Sequence, residues 1–146
     1  MKAQLCQATM EPMQIVDFSK PYVIEVDSSN TTIGAVLLQT VEGQGNKPVA
    51  FASQKLTTTQ RSWSTIEKEA FAAIWALDKF RKWIFNKSVT LYSDHNPLTY
   101  ITESATKSAK LMRWALALQQ YDVTFKFKAG RTNVVADCLS RLEVDD

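Results

Sequence analysis

Between Pro21 and Gln54, three short apolar segments follow one another with connections too short to carry a helix. This constrains the fold more than any other feature of the chain. The first segment, 21–27 (PYVIEVD), sets Tyr22, Ile24 and Val26 against Val23, Glu25 and Asp27, the period of a strand. The second, 33–39 (IGAVLLQ), is apolar and strand-sized, and a turn with two glycines (VEGQGNK) separates it from 48–54 (PVAFASQ), where Val49, Phe51 and Ser53 alternate. Parallel neighbours need a crossover of about a dozen residues or more, so these connections predict an antiparallel meander.

The pattern then changes period. Ser64-Thr65-Ile66-Glu67 has the S-x-x-E form of a capping box and predicts the start of a long helix. Ile66, Ala70, Ala73, Ile74, Leu77 and Ile84 recur at helical spacing, with Lys68, Asp78, Lys79 and Lys82 on the other side and Glu69 at the edge of the apolar stripe. A fourth strand is expected at 88–94, a short helix from Asn96-Pro97 through Ile101, and a second substantial helix at 110–121. A fifth strand is expected at 122–128, with Val123, Phe125 and Phe127 inward, and a last helix at 134–142 capped by Asn133. The order β-β-β-α-β-α-β-α predicts an α/β domain built on a mixed sheet.

Composition narrows the function classes. With 146 residues, 45% of them hydrophobic, the chain suits one domain with a substantial core. A mean hydropathy of −0.18 and 22% charged residues argue against disorder. No apolar run approaches the ~18 residues of a membrane span, and residues 1–20 lack the apolar stretch of a secretory signal. Cys6 and Cys138 are too few for a disulfide framework and lack metal-site spacing, which points to a reducing compartment. A membrane protein, a disulfide-stapled mini-domain and a zinc finger are thus not expected. The organisation read from the chain is a lead at 1–20, one domain at 21–142 and a tail at 143–146. Net charge is only +2, but six basic residues between Lys107 and Arg131 face one acid, Asp122. That excess suits either a phosphate-facing patch or a solvated surface.

Four acids stand in unusual places: Asp27 and Asp94 at strand ends, Glu69 beside an apolar stripe, and Asp137 within the last helix. Each has an ordinary explanation: an Asx turn, a side chain reaching solvent, a strand end, an exposed helix face. Brought together, they would suit a hard cation that takes oxygen ligands. Two such ions can activate a water and steady a leaving oxygen in phosphodiester cleavage. Spacing alone leaves both readings open.

The strings VDSSNTTIGAVLLQ, PVAFASQKLT, WSTIEKEAFAAIWALDKFRKWI, TLYSDHNPLTYI and LMRWALALQQYDVTFKFKAGRTNVVADCLSRL resemble, in order, the ribonuclease H domain of Ty3/gypsy-type LTR-retrotransposon reverse transcriptases. The lead MEPMQIVDFSKPYVIEVD resembles the segment joining polymerase to ribonuclease H in that family, and the likeness covers about 130 residues. It implies an RNase H-like fold: a five-stranded mixed sheet, its first three strands antiparallel, flanked by helices. It implies hydrolysis of the RNA strand of RNA/DNA hybrids during reverse transcription, leaving 3′-hydroxyl and 5′-phosphate ends. The family's catalytic and metal-binding acids fall on Asp27, Glu69, Asp94 and Asp137, holding two Mg2+ ions with Mn2+ as a substitute. Implied partners are the hybrid and the polymerase domain of the same polyprotein, with no membrane. The implied setting is intracellular: cytoplasm, virus-like particle or nucleus.

The loop AGRTN has Arg131 but not the mobile histidine of cellular ribonucleases H. His95, the chain's one histidine, is read as structural rather than as an acid or base. Candidate substrate contacts are Ser28, Ser29 and Asn30 after the first aspartate, Ser64 and Thr65 at a helix N-terminus, Asn96, and Lys107, Lys110 and Arg113 along the DNA backbone. Trp63 and Trp114 are read as core residues ahead of base-stacking ones. Two competing readings are a non-catalytic nucleic-acid-binding or interaction module on the same fold, and a DNA-cutting relative of the integrase or resolvase type.

Overall fold

Tyr22–Ser28 (β1), Thr32–Val41 (β2) and Gly45–Lys55 (β3) form the antiparallel meander that their short connections require. The computed structural model describes residues 21–43, 45–93, 100, 101, 103 and 107–127. β2 and β3 run past the apolar segments at both ends, and at the turn Thr40 Oγ1 donates to Asn46 Oδ1 at 2.8 Å. Gly43 (φ 78°) and Gly45 (φ 76°) take the left-handed backbone of that turn, which a side chain would strain.

Ser88–Ser93 (β4) lies parallel to β1, and Asp122–Phe127 (β5) parallel to β4, giving the order β3-β2-β1-β4-β5. The sheet is mixed, as expected, with β1 in the middle.

The helical segments depart from the expectation in places. Thr58–Arg61 (α1) is a short helix that the alternating pattern did not anticipate. Its signal is a Thr57-x-x-Gln60 capping box: Thr57 Oγ1 accepts from the Gln60 amide at 3.1 Å and Gln60 Oε1 from the Thr57 amide at 2.9 Å. Thr65–Lys79 (α2) starts where predicted, with Ser64 as N-cap. It does not continue to Ile84. Phe80, only 2% exposed, leaves helical geometry (φ −99°, ψ 14°), and Arg81–Ile84 (α3) forms a separate turn. The Phe80 ring meets Trp83 edge-on at 6.0 Å. Lys68, expected on the solvent side, is buried, because it shares a face with Ala72, four residues on.

Ala109–Leu118 (α4), N-capped by Ser108, buries Leu111, Trp114 and Leu118 at helical spacing. Tyr100 and Ile101 are helical, and Ile101 is part of the core. The start of that expected short helix and the expected last helix lie outside the described residues.

The core fills the space between sheet and helices. Ile24, Val26, Ile33, Ala35, Leu37 and Leu91 meet Ala70, Ala73, Ala76 and Leu77 of α2, which packs over β1 and β2. The alanine face lets helix and sheet approach closely. Val23, Val36, Leu38 and Phe51 alternate to the opposite face of the sheet and are buried there too. No helix among the described residues is long and apolar enough to cross a membrane.

Candidate active site at the ends of β1 and β4

Among the described residues the ladder between β1 and β4 runs from Tyr22/Val89 to Glu25/Tyr92. Beyond it, β1 continues to Ser28 paired with β2, while β4 continues to Ser93 paired with β5. The two parallel strands thus bring their carboxyl ends side by side. Chain order also reverses between them, the place where open α/β sheets form ligand crevices.

Glu69, in the second turn of α2, reaches these strand ends and is 2% exposed. Ser28 Oγ donates to its Oε1 at 2.6 Å, and Ser93 Oγ donates to its Oε2 at 2.9 Å. Its carboxylate thus bridges two neighbouring strands. Ser28 also links the two described acids, since its amide donates to Asp27 Oδ1 at 2.9 Å. The structure brings Asp27, Ser28, Glu69 and Ser93 together. Asp94, His95, Asn96 and Asp137 lie outside the described residues. Among the described residues no group of three His, Cys, Asp or Glu side chains forms a metal cluster. The donor set that is described fits a hard cation: two carboxylates flanked by hydroxyls, with oxygen throughout.

The sequence reading left out Ser93 as a site residue. Its signal is positional: Val89 and Leu91 face the core, and the next residue on that face is a hydroxyl.

The other candidates have local duties. Ser29 closes the β1–β2 turn: its amide donates to Thr32 O at 2.8 Å, and its Oγ accepts from the Thr31 and Thr32 amides at 3.3 and 3.1 Å. Asn30 is exposed beside it. Ser64 Oγ accepts from the Glu67 amide at 3.3 Å, capping α2, and Thr65 is exposed in its first turn.

Lys107 and Arg113 are exposed, whereas Lys110 is held. Its Nζ lies 2.6 Å from Glu67 Oε2 and 3.9 Å from the centroid of the Trp63 ring. Trp63 in turn meets Phe71 at 5.6 Å and Trp114 at 5.7 Å, both edge-on. Both tryptophans therefore pack, and Lys110 fastens α4 to the start of α2. Burial pushes the Tyr100 phenol above its ordinary value, and the Glu67 carboxylate adds to the rise.

Comparison with known proteins agrees with this architecture. The model of the RNase H-like domain found in reverse transcriptase matches residues 17–121. The Pol polyprotein of transposon opus from Drosophila melanogaster is 38% identical over 143 residues, covering 97% of this chain and 14% of the relative. That of transposon 412 from the same fly is 40% identical over 146 residues, covering 100% of this chain and 12% of the relative. The chain therefore spans a small part of the polyproteins it matches. Among solved structures, the foamy viral protease-reverse transcriptase in complex with RNA/DNA hybrid superposes with a TM-score of 0.67 at 20% identity, over 81% of this chain and 16% of that one. At that identity the likeness speaks for the fold alone. The chain belongs to the RNase H-like domain family found in reverse transcriptase, alongside the Pol polyproteins of Ty3/gypsy-type retrotransposons.

Proposed function

We propose that this domain is a metal-dependent endonuclease that hydrolyses the RNA strand of an RNA/DNA hybrid. The observation that carries the reading is Glu69, a carboxylate held 2% exposed at the neighbouring ends of β1 and β4, with Asp27 one residue from the serine that holds it. A buried carboxylate is costly to keep in a fold. Its position at the strand ends suits a ligand better than it suits packing. In this reading Asp27, Glu69, Asp94 and Asp137 together hold divalent cations. Bound Mg2+ supplies an activated water and steadies the leaving oxygen.

The chain's own groups have separate tasks. Ser28 fixes the spacing between two of the acids. Asn30 at the turn and Asn96 are offered to the RNA strand, while Lys107 and Arg113 remain for the DNA backbone. Lys110 contributes less to binding than its position in the sequence suggests, because Glu67 and Trp63 engage its charge. The polymerase domain of the same polyprotein is the proposed partner, given the relatives in which such domains occur.

The test is cleavage of a labelled RNA/DNA hybrid in Mg2+, beside single-stranded RNA, duplex RNA and duplex DNA. Only the RNA of the hybrid should be cut, and chelator should stop it. The selectivity follows from the need for 2′-hydroxyls on one strand and a DNA partner on the other. Comparable cutting of duplex DNA would favour the DNA-cutting relative. Hybrid binding without cleavage would favour the non-catalytic module.

A further inference from the structure

We propose that Ser28 and Ser93 are positioning residues for the divalent cation, their hydroxyls fixing the orientation in which the Glu69 carboxylate binds it. This rests on the metal-dependent reading above and adds two uncharged residues to it.

The side-by-side ends of two parallel strands make the arrangement. One hydroxyl comes from the end of β1 and the other from the end of β4, and each takes a different oxygen of Glu69, at 2.6 and 2.9 Å. Two anchors on opposite oxygens fix both the reach of the side chain and the plane of its carboxylate. A glutamate free to turn loses rotamer freedom when it binds an ion, and one already held loses less. The neutrality of these donors also matters. A lysine or arginine at either position would offset the negative charge that attracts the cation, whereas a hydroxyl steadies the carboxylate and leaves its charge in place. Ser28 acts twice, because its amide holds Asp27 Oδ1 at 2.9 Å while its hydroxyl holds Glu69. One residue therefore sets the spacing of two ligands. Hydrogen-bonded support of this kind is usual behind metal-binding carboxylates.

The test uses the full chain: the parent, Ser28→Ala, Ser93→Ala and Ser28→Thr. Melting temperature is followed against Mg2+ concentration with no substrate present, and hybrid cleavage against Mg2+ concentration in parallel. Each alanine variant should need about tenfold more Mg2+ at both midpoints, the low end of the ~10–100-fold range for such supporting groups. Ser28→Thr keeps the hydroxyl and should restore the parent midpoints. Ser93 is 3% exposed; should its alanine variant fail to fold, the partly buried Ser28 carries the comparison. Alanine variants that melt lower but keep the parent's Mg2+ midpoints would overturn the proposal and leave the metal-dependent reading standing. A parent that neither responds to Mg2+ nor cuts hybrid would overturn both.

Discussion

Replacing Lys110 with methionine separates a role in the fold from a role at the substrate. The change keeps an apolar stem and removes the ammonium. That ammonium lies 2.6 Å from Glu67 Oε2, with the two side chains 29% and 21% exposed, and 3.9 Å over Trp63. A partly exposed ion pair contributes about 0.2–1 kcal/mol, and a cation over a tryptophan face about 0.5–1 kcal/mol. Lys110→Met should therefore cost about 1–2 kcal/mol, a fall of roughly 3–6 °C in melting temperature for a domain of this size. Urea denaturation measures the cost directly. Part of it should shrink at high salt, since the ion pair is screened. A cycle with Glu67→Gln should return a coupling of about 0.3–1 kcal/mol, because the two side chains touch. A phosphate contact makes the opposite forecast: removing one lowers the slope of log affinity against log salt by about one. The reasoning fails if Lys110→Met leaves stability within about 0.3 kcal/mol of the parent and lowers that slope for hybrid binding.

Three further outcomes are expected. Glu69→Gln should keep the fold, because rotated serine hydroxyls can still bond the amide, yet lose hybrid cleavage and most of the Mg2+-dependent rise in melting temperature; melts in chelator and in millimolar Mg2+ check it. Asn86 sits at φ 63°, so Asn86→Ala should cost about 1 kcal/mol in urea denaturation while Asn86→Gly costs nothing or stabilises slightly. The Tyr100 phenol is raised by burial and by Glu67, so the folded state holds its proton more firmly than the unfolded state does. That contribution is complete below the ordinary tyrosine value near pH ~10 and is lost as pH rises through the folded value. Tyr100→Phe should flatten this alkaline loss in urea titrations from about pH 8 to 11.

Where local pattern decided the structure, the sequence was legible. Alternation located β1, and connection length made β1–β3 a meander before any contact was known. The break at Phe80 was not legible, because no glycine or proline marks it. It accompanies the burial of one ring against Trp83, which is a tertiary event. The short helix α1 was marked by Thr57 and Gln60, but it carries no buried residue, so no apolar period announced it. Lys68 and Glu69 show the limit for a helix face. Spacing put one outside and the other at the margin, and both are buried, because the covering surface extends beyond the strict apolar stripe. At the site, Asp27 and Glu69 drew notice by their places, at a strand end and beside an apolar stripe, and the resemblance gave them a shared role. The bridge through Ser28 and Ser93 depends on two strands far apart in the sequence ending side by side, and nothing local in either strand encodes that pairing.

The placement of Glu69 has a further source in the alanines that follow it. Ala70, Ala73 and Ala76 are all 0% exposed, and they set how closely α2 lies on β1 and β2. With a rise of about 1.5 Å per residue, a one-residue slip along the helix axis would move the carboxylate by more than half the length of either serine bond. A larger side chain at any of the three would lift the helix instead, and the hydroxyls on the strand ends could not follow, because the sheet ladder holds their backbone. Catalytic geometry tolerates little of this, since a displacement of ~1 Å can cost about a hundredfold in rate. The small residues of α2 therefore serve packing and the site through one contact. Glu69 reaches the ends of β1 and β4 because the helix that carries it is held close by side chains with almost nothing beyond Cβ.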